Sequence, residues 1–161
     1  MKIGIISDTH DNLDGIRKAI NIFKELGVEK ILHLGDFVAP FTASPFVNSK
    51  LPFTGVFGNN DGEKFGLIKA FSPVGKIYSP PYETEIDGKS FLLLHDPVTL
   101  DSYIKSQKYD YILYGHFHRK HDETVGRTRI INPGEVCAII TGVSSIAYLD
   151  TESNNLEIID L

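Results

Sequence analysis

Short apolar runs alternate with helical patterns in the first half of the chain, and this alternation limits the fold more than any other feature. Compact β-branched runs predict buried strands, and apolar residues at helical spacing predict amphipathic helices between them. A strand–helix–strand order places neighbouring strands parallel, with the helices packed against them. The predicted elements are a strand at Ile3–Ile6, a helix through Ile16, Ile20, Phe23 and Leu26 that Asp11 or Asn12 caps and Gly27 ends, a strand at Lys30–Leu34, a helix over residues 39–49 and a strand at Pro52–Phe57.

The second half of the chain is richer in strands. Gly88-Lys89 separates Tyr82–Asp87 from Ser90–Leu94, which predicts a hairpin. These elements predict a second, largely antiparallel sheet packed on the first, in an α/β protein. The remaining predicted elements are a helix over residues 98–107, a buried strand at Tyr109–Tyr114, and short strands over residues 121–125, 128–132, 136–140, 144–150 and 155–160.

Length and composition predict one globular domain that spans residues 1–161. The chain is 42% hydrophobic and 23% charged, which is ordinary globular usage and excludes a mostly disordered chain. A net charge of −5 without a block of basic residues argues against binding long nucleic acid. No apolar run is long enough to span a membrane, and the single cysteine, Cys137, cannot form an internal disulfide. Because a strand-like run begins directly after Met1, we expect a cytoplasmic protein without a signal peptide.

Five of the apolar runs stop at residues that bind metals or phosphates. In open α/β sheets ligands bind at the carboxyl ends of strands, so these five turns are expected to meet at one edge. Gly35, Gly58 and Gly115 stand just before such residues, where a sharp strand exit needs a left-handed backbone or a close approach of two chain segments. The five turns are Ser7-Asp8-Thr9-His10, Gly35-Asp36, Gly58-Asn59-Asn60-Asp61, His95-Asp96 and Gly115-His116-Phe117-His118.

The candidate ligands in these turns combine imidazoles with oxygen donors and contain no sulfur. Such a mixture suits Mn, Fe, Ni, Co or Zn better than Ca or Mg. The set is too large for one ion, whereas two ions that share a carboxylate would use every member. Paired ions of this kind catalyse displacement at phosphorus. The set is Asp8, His10, Asp36, Asn59, His95, His116 and His118.

Each turn taken alone is typical of an ordinary turn, cap or strand end, and it is their ordered occurrence that favours a site. His116 and His118 form the strongest pair, because alternate residues of a strand share a face. Predictions for the other residues of interest are less specific. His33 faces a helix, His121 is an ordinary polar residue or orients a ligand, Asp61 fixes Asn59 or a ligating histidine, and Cys137 is a small buried hydrophobic residue. Arg119 and Lys120 are predicted to be solvated surface charges, with contact to the substrate as the alternative.

The ordered set resembles the calcineurin-like metallophosphoesterases, and in particular their small single-domain branch, the phosphodiesterases of the YfcE type. The likeness runs from Lys2 to the final hairpin and includes the turn Asn132-Pro133-Gly134. The resemblance implies a four-layer α-β-β-α sandwich of two mixed sheets flanked by helices. It also implies hydrolysis of a small phosphoester, above all a phosphodiester, by a hydroxide bound to two divalent transition metals, with Mn preferred and Ni, Fe, Co or Zn as alternatives.

The resemblance also assigns roles residue by residue. The implied catalytic set is Asp36, Asn59, His95 and His116. Asp8, His10 and His118 would hold the first ion, Asn59, His95 and His116 the second, and Asp36 both.

Three positions depart from the family pattern. Asn60 stands where many members carry a histidine that protonates the leaving group, and an amide cannot supply that proton. Phosphodiesters with good leaving groups are therefore favoured. Asp96 stands where relatives often have glycine and Glu135 where they often have a small residue; the sequence leaves open whether either enters the site.

Two further questions stay open at this stage. A catalytically weak or inactive metal-binding scaffold of the same fold, which binds protein partners, is the alternative function. The oligomeric state is also undecided, because Phe37, Phe41 and Phe46 fit either a core or a homo-oligomer interface.

Overall fold

Strands and helices alternate along the chain in the computed structural model, which describes residues 1–161. The helices are α1 (Leu13–Glu25), α2 (Ala43–Ser49), which a short 3-10 turn at Pro40–Thr42 precedes, α3 (Lys64–Phe71) and α4 (Leu100–Ser106). The strands are β1 (Lys2–Ile6), β2 (Lys30–His33), β3 (Phe53–Val56), β4 (Gly75–Tyr78), β5 (Tyr82–Ile86), β6 (Lys89–Leu93), β7 (Tyr111–Leu113), β8 (Lys120–Val125), β9 (Thr128–Pro133), β10 (Ser145–Asp150) and β11 (Asn155–Asp160).

The first sheet has the strand order β11-β10-β1-β2-β3-β4. Its strands β1 to β4 are parallel, as the alternation with helices predicts, while β10 pairs antiparallel with β1 and β11 with β10. Asn12 caps α1 by accepting the backbone N–H of Gly15 at 3.0 Å. The chain leaves this helix at Gly27, whose φ of +69° is the left-handed conformation that glycine adopts at little cost.

The second sheet has the order β5-β6-β7-β9-β8 and is mixed, with two parallel and two antiparallel pairings. The predicted hairpin of β5 and β6 is confirmed, but the prediction of a largely antiparallel second sheet is wrong. The last two strands join the first sheet instead, because β10 pairs with β1 along four residues. The predicted strand over residues 136–140 is also absent, since the Glu135 carboxylate accepts the backbone N–H groups of Ile139 and Ile140.

Three hydrophobic clusters separate four layers of structure. The first packs α1, α2 and α3 on one face of the first sheet through Phe23, Phe46 and Phe71. The second lies between the two sheets, where side chains such as Ile5 and Phe91 are fully buried. The third packs α4 on the outer face of the second sheet. This arrangement is the predicted α-β-β-α sandwich of two mixed sheets.

The hydrophobic pattern of the sequence does not predict α3 or β4. Phe65 and Ile68 of α3 are 91% and 45% exposed, so the apolar residues of this helix do not follow its buried face. Phe37 and Phe46 belong to the core, whereas Phe41 is exposed. No helix of the structure combines the length and apolar character needed to cross a bilayer.

Asp110 lies just before β7 and connects that strand to the beginning of β6. Its carboxylate accepts the backbone N–H and the hydroxyl of Ser90, both at 2.8 Å, and pairs with Arg127 at 2.7 Å. Burial opposes the charged form, but these donors outweigh it and lower the pKa of Asp110 to about 2. Because the folded pKa is depressed, the stabilisation is present above about pH 4 and is lost as the pH falls toward 2.

We expect Asp110→Asn to lower the free energy of unfolding at pH 7 by about 1–2 kcal/mol, because an amide accepts fewer of these hydrogen bonds. Urea unfolding at pH 7 and pH 3 measures this loss. The difference in the free energy of unfolding between the variant and the unmodified chain should be smaller at pH 3. Glu85→Gln on β5, which removes an equal charge from an exposed position, is the control and should change little at either pH. A pH-independent loss for Asp110→Asn would contradict the assignment.

Candidate metal centre

The five predicted turns meet at one edge of the sandwich, where β1, β2, β3, β6 and β7 end. Backbone hydrogen bonds join them: the N–H of Asp8 donates to Gly35 O at 3.0 Å, and the N–H of Gly115 donates to His95 O at 3.1 Å. All seven predicted ligand residues come together there, in two groups on either side of Asp36. The first group is Asp8, His10 and His118, and the second is Asn59, His95 and His116.

The first group contains two buried polar atoms without a hydrogen-bond partner. One is Asp8 Oδ1, which lies 3.4 Å from His118 Nε2; the other is His10 Nε2, which lies 3.4 Å from Asp36 Oδ2. Asp8 is fully buried, and Ser7 donates a hydrogen bond to its other oxygen at 2.6 Å. Unpartnered buried polar atoms are costly, so both atoms are expected to bind a group that the protein itself does not supply.

The second group is built around the side-chain oxygen of Asn59. This oxygen lies 2.8 Å from His95 Nε2 and 3.0 Å from His116 Nδ1. His95 is buried, and its Nε2 also lies 3.5 Å from Asp36 Oδ2. Oxygen and nitrogen donors from three different loops thus face one small volume.

Asp36 stands between the two groups and carries a stable negative charge. Asn60 donates its backbone N–H to Oδ1 and its side-chain amide to Oδ2, both at 2.8 Å. Burial opposes ionisation, but the nearby His10 and His95 rings and the two hydrogen bonds from Asn60 outweigh it and hold the pKa of Asp36 well below its usual range. In return, the Asp36 carboxylate raises the pKa of His10. This charge attracts a cation of any kind to the space between the groups.

The ring orientations provide a direct test of whether a metal fits. Nδ1 of His95 donates to Leu34 O at 2.7 Å and Nδ1 of His118 donates to Glu135 at 2.7 Å, because a carbonyl and a carboxylate can only accept. In the neutral rings, each Nε2 therefore holds a lone pair. These lone pairs face further acceptors, Asn59 Oδ1 and the unpartnered Asp8 Oδ1. Lone pairs that converge in this way fit a divalent cation, and the Nδ1 acceptors fix the rings for it.

The backbone at these loops is strained in the pattern typical of functional sites. Gly35 has a φ of +101°, as its predicted role requires, and a Cβ on Gly58 would lie 2.1 Å from Asp36 Oδ1. Five of the seven candidate residues adopt left-handed φ angles: Asp8 (+50°), His10 (+37°), Asp36 (+60°), His116 (+67°) and His118 (+57°).

Comparison with known proteins identifies the family. The model of the calcineurin-like phosphoesterase superfamily domain matches residues 1–154. The chain belongs to this superfamily. Phosphodiesterase MJ0936 of Methanocaldococcus jannaschii is 42% identical over 156 residues, which cover 94% of each chain. A solved archaeal phosphodiesterase is 41% identical and has a TM-score of 0.95, with both chains covered completely. The E. coli phosphoesterase YfcE is 18% identical, with a TM-score of 0.71 over 99% of this chain and 98% of its own, and shares the fold.

The predicted family and fold are therefore confirmed. Calcineurin-like phosphoesterases use divalent metals, and two clusters of side chains here lie close enough to hold an ion: His10, His118 and Cys137, and Asp8, Asp36 and His95. The role of each candidate residue in metal binding stays a prediction.

Glu135 is a residue whose part in this site the sequence left undecided. Its buried carboxylate accepts hydrogen bonds from Nδ1 of His118 at 2.7 Å and from the Cys137 thiol at 2.8 Å. It also accepts the backbone N–H groups of Ile139 and Ile140 and both donors of Thr141. One carboxylate thus orients a candidate ligand and fixes the following loop. The signal available in the sequence was its position next to the Asn132-Pro133-Gly134 turn.

Cys137 is more than the small hydrophobic residue that its run predicts. It is half-buried, and its sulfur lies 3.7 Å from His118 Nδ1. Burial, together with the hydrogen bond that the thiol donates to the Glu135 carboxylate, raises the pKa of the Cys137 thiol to about 12. The thiol therefore acts as a hydrogen-bond donor to Glu135.

Asp61 stabilises the loops through contacts other than the predicted ones. It accepts the backbone N–H groups of Asp36, Val38 and Gly58, at 3.0, 2.8 and 2.7 Å, rather than contacting Asn59 or a histidine. It therefore fixes the backbone on which the central carboxylate stands.

The remaining candidates lie outside the two groups. His33 is buried, and its ring centroid lies 3.7 Å from that of Phe37 and 5.9 Å from that of Phe46 in α2, as predicted for a residue that faces a helix. His121 contacts the hydroxyl of Tyr114 at 2.8 Å and no candidate ligand. Asp96 is exposed and accepts the backbone N–H of Val98 at 3.1 Å.

Proposed function

We propose that this protein is a metal-dependent phosphodiesterase with two divalent cations at the Asp36 site. The observation that carries the proposal is the pair of buried, unpartnered atoms beside Asp36, Asp8 Oδ1 and His10 Nε2. Within 3.5 Å of Asp36 Oδ2 lie ring nitrogens from both groups, His10 and His95. The name of the 42% identical relative from Methanocaldococcus jannaschii supports a phosphodiester as the substrate.

The proposed ligand assignment follows the two groups. When bound, two such cations neutralise phosphate oxygens and make a coordinated water acidic near neutral pH. Mixed nitrogen and oxygen donors suit Mn²⁺ first, with Ni²⁺, Fe²⁺, Co²⁺ or Zn²⁺ as alternatives. Asp8, His10 and His118 would hold the first ion, Asn59, His95 and His116 the second, and Asp36 both.

The chain's own residues position the reactants more than they move protons. Asn60 fixes both oxygens of Asp36 and has no acidic proton for a leaving group. A leaving group that is stable as an anion is therefore preferred, which favours activated diesters over alkyl monoesters.

The acidic composition favours a small phosphoester over long nucleic acid. We propose a cytoplasmic location, because the single cysteine cannot form an internal disulfide.

A matrix of metals and substrates tests the proposal. We expect a chelator to reduce hydrolysis of bis(p-nitrophenyl) phosphate by at least about 100-fold, because the proposed chemistry depends on the cations. Mn²⁺ should restore the rate, and p-nitrophenyl phosphate, a monoester, should be the poorer substrate. Hydrolysis that survives chelation would contradict the mechanism. Tight metal binding, measured by calorimetry, without turnover of any ester would instead favour the scaffold alternative.

A further inference from the structure

A cavity of about 460 Å³ opens directly beside His118. One wall is apolar, formed by Ile140 and Val143, whose side chains are 64% and 43% exposed. Arg119 and Lys120, which follow His118 in the chain, also line the cavity. Because His118 belongs to both the cavity and the candidate metal centre, a group attached to a phosphate at that centre can extend into this cavity.

The charges of the lining determine what kind of group fits. Two cations and no carboxylate line the cavity. Lys120 pairs with Asp160, whereas Arg119 makes no ion pair. A lining that combines aliphatic side chains with an arginine free of ion pairs favours a flat aromatic ring, since such a ring packs on aliphatic groups and stacks with a guanidinium. The same lining disfavours a cationic group.

The apolar wall is held in place rather than formed on binding. The backbone N–H groups of Ile139 and Ile140 both donate to Glu135, at 3.0 and 3.1 Å. The Thr141 hydroxyl, also in the lining, donates to the same carboxylate at 2.7 Å. A loop fixed at three successive residues presents Ile140 to the cavity without paying for ordering when a ligand binds.

We propose that this cavity is the subsite for one ester group of the substrate, and that the group is an aromatic or heteroaromatic ring. The inference rests on the proposed phosphodiesterase function, because that function places the phosphate beside His118. It adds the class of substrate, because it predicts that the enzyme prefers a diester with at least one aryl-type group to a dialkyl ester.

Two diesters with the same leaving group test the subsite. Phenyl p-nitrophenyl phosphate and methyl p-nitrophenyl phosphate both release p-nitrophenolate and differ in the group that is retained. We expect Ile140→Asn to lower the ratio of kcat/KM for the phenyl ester to that for the methyl ester by about tenfold, the size of a lost apolar contact in a specificity pocket. Ile139→Asn is the matched control: its backbone makes the same bond to Glu135, but its side chain does not line the cavity.

An unchanged ratio in Ile140→Asn, or an equal fall in Ile139→Asn, would overturn the subsite. If neither diester is hydrolysed, the proposed function has failed, and calorimetry on the Mn²⁺-loaded proteins still tests the subsite. Diphenyl phosphate should then lose about tenfold in affinity in Ile140→Asn while dimethyl phosphate does not. Equal losses for the two ligands would overturn it.

Discussion

Replacing Asp36 with asparagine is expected to lower kcat/KM for a phosphodiester by at least about 10³-fold, equivalent to about 4 kcal/mol of transition-state stabilisation. Oδ2 of Asp36 lies 3.4 Å from His10 Nε2 and 3.5 Å from His95 Nε2, so one charge serves both candidate ion positions. An amide removes that charge. Its NH₂ group would also face the side-chain amide of Asn60, which donates to Asp36 at 2.8 Å.

Asp96→Asn is the matched control for this variant. It makes the same change of charge on an exposed residue directly after His95, and kcat/KM should stay within about twofold. Calorimetric titration with Mn²⁺ supplies a second measurement, since loss of the shared carboxylate should weaken binding at both positions. An Asp36→Asn enzyme that retains full activity and affinity would show that the two groups act without this carboxylate.

The location of this site could be predicted from the sequence because it depends on local signals and one topological rule. Short β-branched runs define strands, and polar residues directly after a run lie at its carboxyl end. Once strands alternate with helices, those ends share an edge. His116 and His118 follow β7 of the second sheet, more than a hundred residues from Asp8, and the packing of the two sheets places His118 Nε2 3.4 Å from Asp8 Oδ1.

The parts that could not be predicted depend on side chains that compete with regular backbone pairing. Val136–Ile140 has the composition of a strand, but Glu135 just before it accepts the backbone N–H groups that a neighbouring strand would need. The helix α3 was missed for a different reason, since Phe65 points to solvent and breaks the expected apolar period. Neither effect is visible in hydrophobic pattern alone.

Replacing Glu135 with alanine is expected to cost about 3–5 kcal/mol of the free energy of unfolding, because it leaves several part-buried donors without their shared acceptor. Those donors include the His118 ring, the Cys137 thiol and the N–H groups of Ile139 and Ile140. Burial opposes the charge of Glu135, but these donors hold its pKa well below the usual range. Its contribution is therefore present at neutral pH and is lost only in acid. Urea unfolding at pH 7 measures the loss.

The same variant separates support of the fold from orientation of His118. With Glu135 present, Nδ1 of His118 holds the proton and Nε2 the lone pair, so the imidazole nitrogen chemical shifts of the metal-free protein should report that tautomer. Glu135→Ala should allow His118 to adopt the other tautomer as well. It should also weaken Mn²⁺ binding by about 10–100-fold, the usual cost of losing the group that orients a metal-binding histidine. Glu135→Gln, which keeps one acceptor oxygen, should recover part of both properties.

Cys137→Ala removes a single neutral donor and should cost less than about 1 kcal/mol with the tautomer unchanged. If Cys137→Ala perturbed His118 as strongly as Glu135→Ala, the packing of the loop rather than the carboxylate would orient the ring.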